Sequence, residues 1–128
     1  MRCLESTFCI DLLRGDPDAA RRIRELEAAG ERLAVAAPTL TEVLVGAHLQ
    51  GGRRLADALE FTAQLEVLEV SAEIALEAAR LGGECARKGG HVSNLDLLIG
   101  ATAKHHHAIL MTRDADFSRI PGVLVEAY

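Results

Sequence analysis

Short apolar runs separated by helix-length segments constrain the fold of this chain more than any other feature. Residues 2–4, 33–37, 67–70 and 123–126, and a short buried run ahead of Asp114, read as strands. Between them lies helix punctuation. Ser6 reads as the N-cap of a short, largely buried helix ending at Gly15, and Asp16-Pro17 opens a second helix that Gly30 stops. Pro38 opens a third helix, with Leu40, Val43, Leu44 and Ala47 on one face, broken at Gly51-Gly52; a fourth covers residues 53–64. A long amphipathic helix spans 71–88, where Gly82-Gly83 costs about 2 kcal/mol relative to alanines. Ser93 starts the last helix. Strands joined by helices of this length pair in parallel and build an α/β layer fold. Sites in such folds form beyond the carboxyl ends of the strands, where Glu5 and Asp114 stand.

A length of 128 residues fits one domain with a single core. Aromatic residues are scarce, which argues against base stacking as a main mode of nucleic-acid binding. A net charge of −5 argues against a protein that coats phosphates, yet an acidic metal site lowers the formal charge until its cations bind. Arg21, Arg22 and Arg24, and Arg53 with Arg54, read first as solvated helix faces. Cys3, Cys9 and Cys85 have neither disulfide nor zinc spacing and read as small core residues of a cytoplasmic protein. No signal peptide is expected, and no apolar run approaches the roughly 18 residues of a membrane span.

The chemistry concentrates in acids at element ends. Asp96 lies in the first turn of the last helix, and Asp114 and Asp116 lie just past the strand that follows it. Each has an ordinary structural alternative. Thr39 with Glu42, and Ser93 with Asp96, have capping-box spacing. Asp114 and Asp116 suit a surface turn that Arg113 would neutralise. Glu5, between a strand and a buried helix, is harder to dismiss, because a buried acid needs a cation or several donors. Asp11 reads as an exposed partner of Arg14. Taken together, the acids give the all-oxygen ligand set that Mg²⁺ or Mn²⁺ requires. His105, His106 and His107 are consecutive, point in three directions on a helix and suit a helix C-terminus instead. His48 and His91 have no evident partner.

Four segments in this order resemble PIN-domain ribonucleases, specifically VapC-type toxins of VapBC toxin–antitoxin systems: LESTFCIDLLRGD, TLTEVLVGA, NLDLLIGATAKHHHAILMTRDADF and IPGVLVEAY. The resemblance implies a single PIN-like domain over residues 1–128, a three-layer α/β/α sandwich with a short, mainly parallel central sheet. It implies a metal-dependent endoribonuclease using Mg²⁺ or Mn²⁺, with Glu5, Glu42, Asp96, Asp114 and Asp116 catalytic and Glu5, Asp96 and Asp114 holding metal. Thr7 and Thr112 would order the site. Arg14, Lys104 and Arg113 are candidates for contact with RNA phosphates. The implied partners are RNA, a cognate small DNA-binding antitoxin and a second copy in a homodimer, with no membrane.

One position departs from the family pattern. Glu5 stands where an aspartate is expected. Its extra methylene displaces the carboxylate by roughly 1 Å, a misplacement that can cost on the order of 100-fold in rate. Weakened cleavage is therefore expected, with Glu5→Asp raising it. The alternative readings are a catalytically weak or inactive PIN-fold module that binds a partner protein, and a DNA-directed nuclease of the same fold.

Overall fold

The computed structural model describes residues 1–128. Its order is β1 (Arg2–Leu4), α1 (Ser6–Leu13), α2 (Pro17–Ala28), β2 (Leu33–Ala36), α3 (Ala37–Gln50), α4 (Gly52–Ala63), β3 (Glu66–Leu68), α5 (Ala72–Arg87), α6 (Asn94–His105), β4 (Ile109–Met111) and β5 (Val125–Glu126). A 3-10 turn at Ala115–Arg119 lies between the last two strands. No helix is long and apolar enough to cross a membrane.

The sheet order is β3-β2-β1-β4-β5, and every pairing is parallel. From β1 the chain steps outward on one side to β2 and β3, then returns to place β4 on the other side. The order therefore reverses between β1 and β4, the place where a crevice opens beyond the strand ends. Leu4 sits opposite Met111 in that pair. The residues that follow, Glu5 and the segment from Thr112 to Asp116, are thus delivered to one spot.

Alternation along the strands sorts the core into two faces. Cys3, Ala34, Ala36 and Leu110 pack with Ile74, Ala78, Leu81 and Cys85 of α5 and Leu97, Ile99, Ala101 and Ala103 of α6. Leu4, Val35 and Met111 face the opposite way, against Phe8 and Cys9 of α1, Ala19 and Ile23 of α2 and Val43 of α3. This is the expected three-layer sandwich. Burial pushes the Cys3 thiol up to about 12 and raises that of Cys9, so both stay as inert thiols in the core.

α5 runs unbroken over Ala72–Arg87, as the sequence leads one to expect, and a Cβ at Gly82 would come within 2.7 Å of Leu97 Cδ1, so the glycine lets α6 approach closely. One local expectation changes. The cap of α1 is Glu5 rather than Ser6: Glu5 has extended backbone, and its side chain accepts from the Thr7 backbone N–H. Ser6 is already helical and donates its hydroxyl to Glu5 instead.

Candidate metal centre

Glu5 is the anchor. It is 3% exposed, and its backbone N–H still donates to the Met111 carbonyl, extending the β1–β4 pairing by one residue. Its Oε2 accepts from the Thr7 backbone N–H at 2.9 Å, the Thr7 hydroxyl at 2.7 Å and the Thr112 hydroxyl at 2.8 Å, while Oε1 accepts from the Ser6 hydroxyl. A carboxylate offers about four lone-pair sites. With Oε2 fully engaged, only Oε1 keeps room for a further partner. The buried charge is thus satisfied within the chain, the case of several donors rather than a cation.

The same hydroxyls carry the connection to the next acids. With their hydrogens spent on Glu5, the Thr7 and Thr112 oxygens accept from the backbone N–H groups of Arg113 at 3.1 Å and Asp114 at 3.0 Å. Asp114 Oδ1 in turn accepts from the Asp116 N–H at 2.9 Å and caps the 3-10 turn. A continuous hydrogen-bond chain therefore runs from the end of β1 through both threonines to the acidic loop after β4. Its first cause is sequence-local: hydroxyl residues stand within three positions of the ends of β1 and β4, Thr7 after Leu4 and Thr112 after Met111.

Asp96 reaches the site from α6. Ser93 is the N-cap and accepts from the Asp96 N–H at 3.2 Å, which fixes the first turn and the direction of its carboxylate. Asp96, Asp114 and Asp116 each offer a carboxylate oxygen, and these lie within 4.8 Å of one another, half-buried. The Asp96 carboxyl is held above its usual range by burial and by the charge of Asp114, with Glu5 and Asp116 adding to the effect. Asp116 thus stands inside the group. Glu5 borders it without belonging to that trio.

Glu42 approaches from α3. The capping box with Thr39 does not form, because α3 starts at Ala37 with Ala36 as an apolar cap, placing Thr39 inside the first turn and Glu42 beyond it. Thr39 Oγ1 and Glu42 Oε1 are both buried without a hydrogen-bond partner. Burial raises the Glu42 carboxyl, and the charges of Glu5 and Asp96 raise it further, which puts all three acids in one electrostatic neighbourhood.

The cations fall elsewhere. Arg113 does not neutralise the acids that follow it; it turns back to Asp11 at 3.2 Å and to Asp16 and Asp18 at 3.4 Å, and it lies over the Tyr128 ring. Asp11 accordingly pairs with Arg113 and the Tyr128 hydroxyl instead of Arg14, since it faces the terminal strand while Arg14 lines a cavity on the other side of α1. Lys104, near the opposite end of α6 from Asp96, pairs with Glu77 at 2.8 Å. The histidines also cap that far end, where His107 takes a left-handed conformation. Only Arg119, at 3.7 Å from Asp116 in an exposed pair, brings a cation to the trio.

Comparison with known proteins agrees with this architecture. The PIN domain family matches residues 2–123. The tRNA(fMet)-specific endonuclease VapC of Salmonella typhimurium is 30% identical over 96% of this chain and 94% of its own length. Ribonuclease VapC19 of Mycobacterium tuberculosis is 33% identical over 88% of this chain and 87% of its own. Among solved structures, DNA-bound VapBC from Salmonella typhimurium contains a chain 30% identical with a TM-score of 0.86, covering 99% of this chain and 98% of that one. VapBC2 from Rickettsia felis, bound to a promoter DNA fragment, aligns at the same TM-score of 0.86 and the same coverage, 99% and 98%, with 27% identity. The chain therefore belongs to the PIN domain family, and within it to the VapC ribonucleases.

Proposed function

We propose that this chain is a divalent-metal-dependent endoribonuclease and the toxin of a toxin–antitoxin pair. The observation that carries the reading is the convergence of Asp96, Asp114 and Asp116, from two separate elements, to within 4.8 Å of one another. Three carboxylates at that spacing repel, and Arg119 offsets them only from the solvent side. The donor set is all oxygen, and a buried Glu42 oxygen stands unpartnered beside it. Both features fit Mg²⁺ or Mn²⁺.

Asp96, Asp114 and Asp116 would hold the ion. Bound there, Mg²⁺ or Mn²⁺ supplies a water acidified towards neutral pH and positive charge for the phosphodiester transition state. The chain's own residues do the rest. Glu5, through Thr7 and Thr112, fixes the backbone from which Asp114 and Asp116 project. Its one open site on Oε1 leaves room for contact with the ion directly or through water. Glu42, whose Oε1 is buried without a hydrogen-bond partner, adds a further carboxylate to the site's negative charge.

The family's names support RNA as the substrate and complexes with a DNA-bound partner support a cognate small DNA-binding antitoxin. A homodimer and attenuation by Glu5 complete the reading. The four donors that Glu5 finds within the chain favour the second reading, a weak or inactive binding module, and a Mn²⁺ titration of thermal stability separates the two. In the test of the main reading, purified protein cleaves RNA with Mg²⁺ or Mn²⁺ and loses cleavage on chelation. Asp96→Asn abolishes cleavage with the fold intact; cleavage retained in that variant overturns the assignment.

A further inference from the structure

We propose that Arg14 and Arg54 form a subsite for backbone phosphates of the RNA strand, on the α1–α3–α4 side of the acidic centre. The inference rests on the function proposed above and adds the direction in which the strand leaves the reacting phosphate. A cavity of about 110 Å³ opens between α1, α3 and α4, with Ile10, Leu13 and Val43 along its apolar part. Glu42 lines it too and feels the charges of Glu5 and Asp96, so the cavity adjoins the acidic centre through that residue. Arg14, at the C-cap of α1, and Arg54, in the first turn of α4, stand at its polar edge.

The charge pattern distinguishes these two side chains. Arginines elsewhere are mostly compensated: Arg2, Arg21, Arg22, Arg32, Arg53, Arg80, Arg113 and Arg119 each have a carboxylate within salt-bridge reach. Those without one are Arg14, Arg24, Arg54 and Arg87, and two of these line the cavity that Glu42 shares. Asp57 also lines it but faces Arg53 at 3.9 Å. Beyond the acidic loop the opposite holds, since Arg113 is surrounded by Asp11, Asp16 and Asp18.

A strand whose reacting phosphate lies at the Asp96–Asp114–Asp116 trio must put its neighbouring phosphates on the flanking surface. In a chain of net charge −5, the flank carrying uncompensated guanidinium groups accepts them at least electrostatic cost. Guanidinium also matches phosphate oxygens in a two-pronged geometry that an ammonium lacks.

The test measures binding of a fluorescein-labelled, mixed-sequence single-stranded RNA by anisotropy, in EDTA to prevent hydrolysis, from about 50 to about 300 mM KCl. Cleavage by the same proteins is followed in Mg²⁺. For single strands the salt slope is about −0.7 per phosphate neutralised, so Arg14→Ala with Arg54→Ala should flatten it by about 1.4 and weaken binding by roughly 25-fold at about 0.1 M salt. The double lysine variant should restore the slope, and Lys88→Ala, remote from the cavity, should match wild type. Wild-type slope and affinity in the double alanine variant overturn the subsite. So does a variant that keeps RNA affinity but loses binding to an oligoglutamate peptide, which assigns the groove to an acidic protein segment. Wild-type protein that neither binds nor cleaves RNA refutes the proposed function itself.

Discussion

Replacing Asp96 with Asn should make the metal-free protein more stable, although a carboxylate in the first turn of a helix is favoured by the helix dipole. The oxygens of Asp96, Asp114 and Asp116 lie within 4.8 Å of one another. At that spacing two unit charges repel by about 0.9 kcal/mol in water and about 3.5 kcal/mol at an effective dielectric of 20. The site is half-buried and screened by salt, so the lower end applies, about 1 kcal/mol to each of the two neighbours. Against this, the variant loses a carboxylate from the first turn of α6, worth about 0.3–1 kcal/mol. The net is about 1 kcal/mol in favour of the variant, or roughly 3–5 °C in Tm for a chain of this size.

Divalent metal reverses the order. At ten times its Kd, a bound ion stabilises the wild type by about 1.4 kcal/mol, and a variant lacking one ligand gains less. Thermal unfolding in EDTA and in Mn²⁺ reads both effects. A variant that is less stable in EDTA and gains as much from Mn²⁺ as the wild type would refute the argument that these carboxylates are mutually strained and ion-binding.

Three other perturbations probe separate parts of the structure. Glu5→Asp places an aspartate where N-caps prefer one, so stability should change by less than about 1 kcal/mol, while metal-dependent RNA cleavage rises by up to about 100-fold; unchanged cleavage shows that the extra methylene does not matter. Thr39→Val removes a fully buried hydroxyl without a partner, and urea unfolding should show a gain of about 0.5–1.5 kcal/mol, a loss meaning that the hydroxyl has a partner. Glu77, hydrogen-bonded by Arg80 and Lys104, is depressed to about 2, so its contribution is present above the ordinary carboxylate range and fades as pH falls towards 2. Glu77→Gln should therefore narrow the gap between urea midpoints at about pH 7 and about pH 3, and an unchanged gap counts against that pairing.

Much of this fold was legible because its signals are local. The Ser93 cap, Pro17 and the Gly51-Gly52 break all act within a few residues and stand where the sequence places them, and each apolar run forms its strand to within a few residues. The errors came where a local rule met a tertiary competitor. Ser6 is a good cap by composition, but the backbone N–H of Glu5 stays paired to Met111 in the sheet, which leaves its side chain to cap α1. Thr39 and Glu42 have capping spacing, yet α3 begins directly at the end of β2 with Pro38 in its first turn, which leaves Thr39 inside the helix rather than at its cap. The helix through Gly82 forms as expected, and only the packing shows why a glycine stands there: Leu97 of another helix lies 2.7 Å from where its Cβ would be.

The candidate site divides in the same way. The sequence by itself determined which acids stand at element ends, because strand and helix boundaries follow from periodicity and punctuation. Only the tertiary structure decided which of them meet. The reversal of strand order between β1 and β4 brings Glu5 and Asp114 to one crevice across more than a hundred residues of chain, and the packing of α6 adds Asp96. Side-chain direction, which sequence spacing does not encode, then separated the cations: Arg113 turned away to Asp11, Asp16 and Asp18, and Arg54 came to share a cavity with Glu42. Charge acts through distance in space, and that distance exists only once the chain has folded.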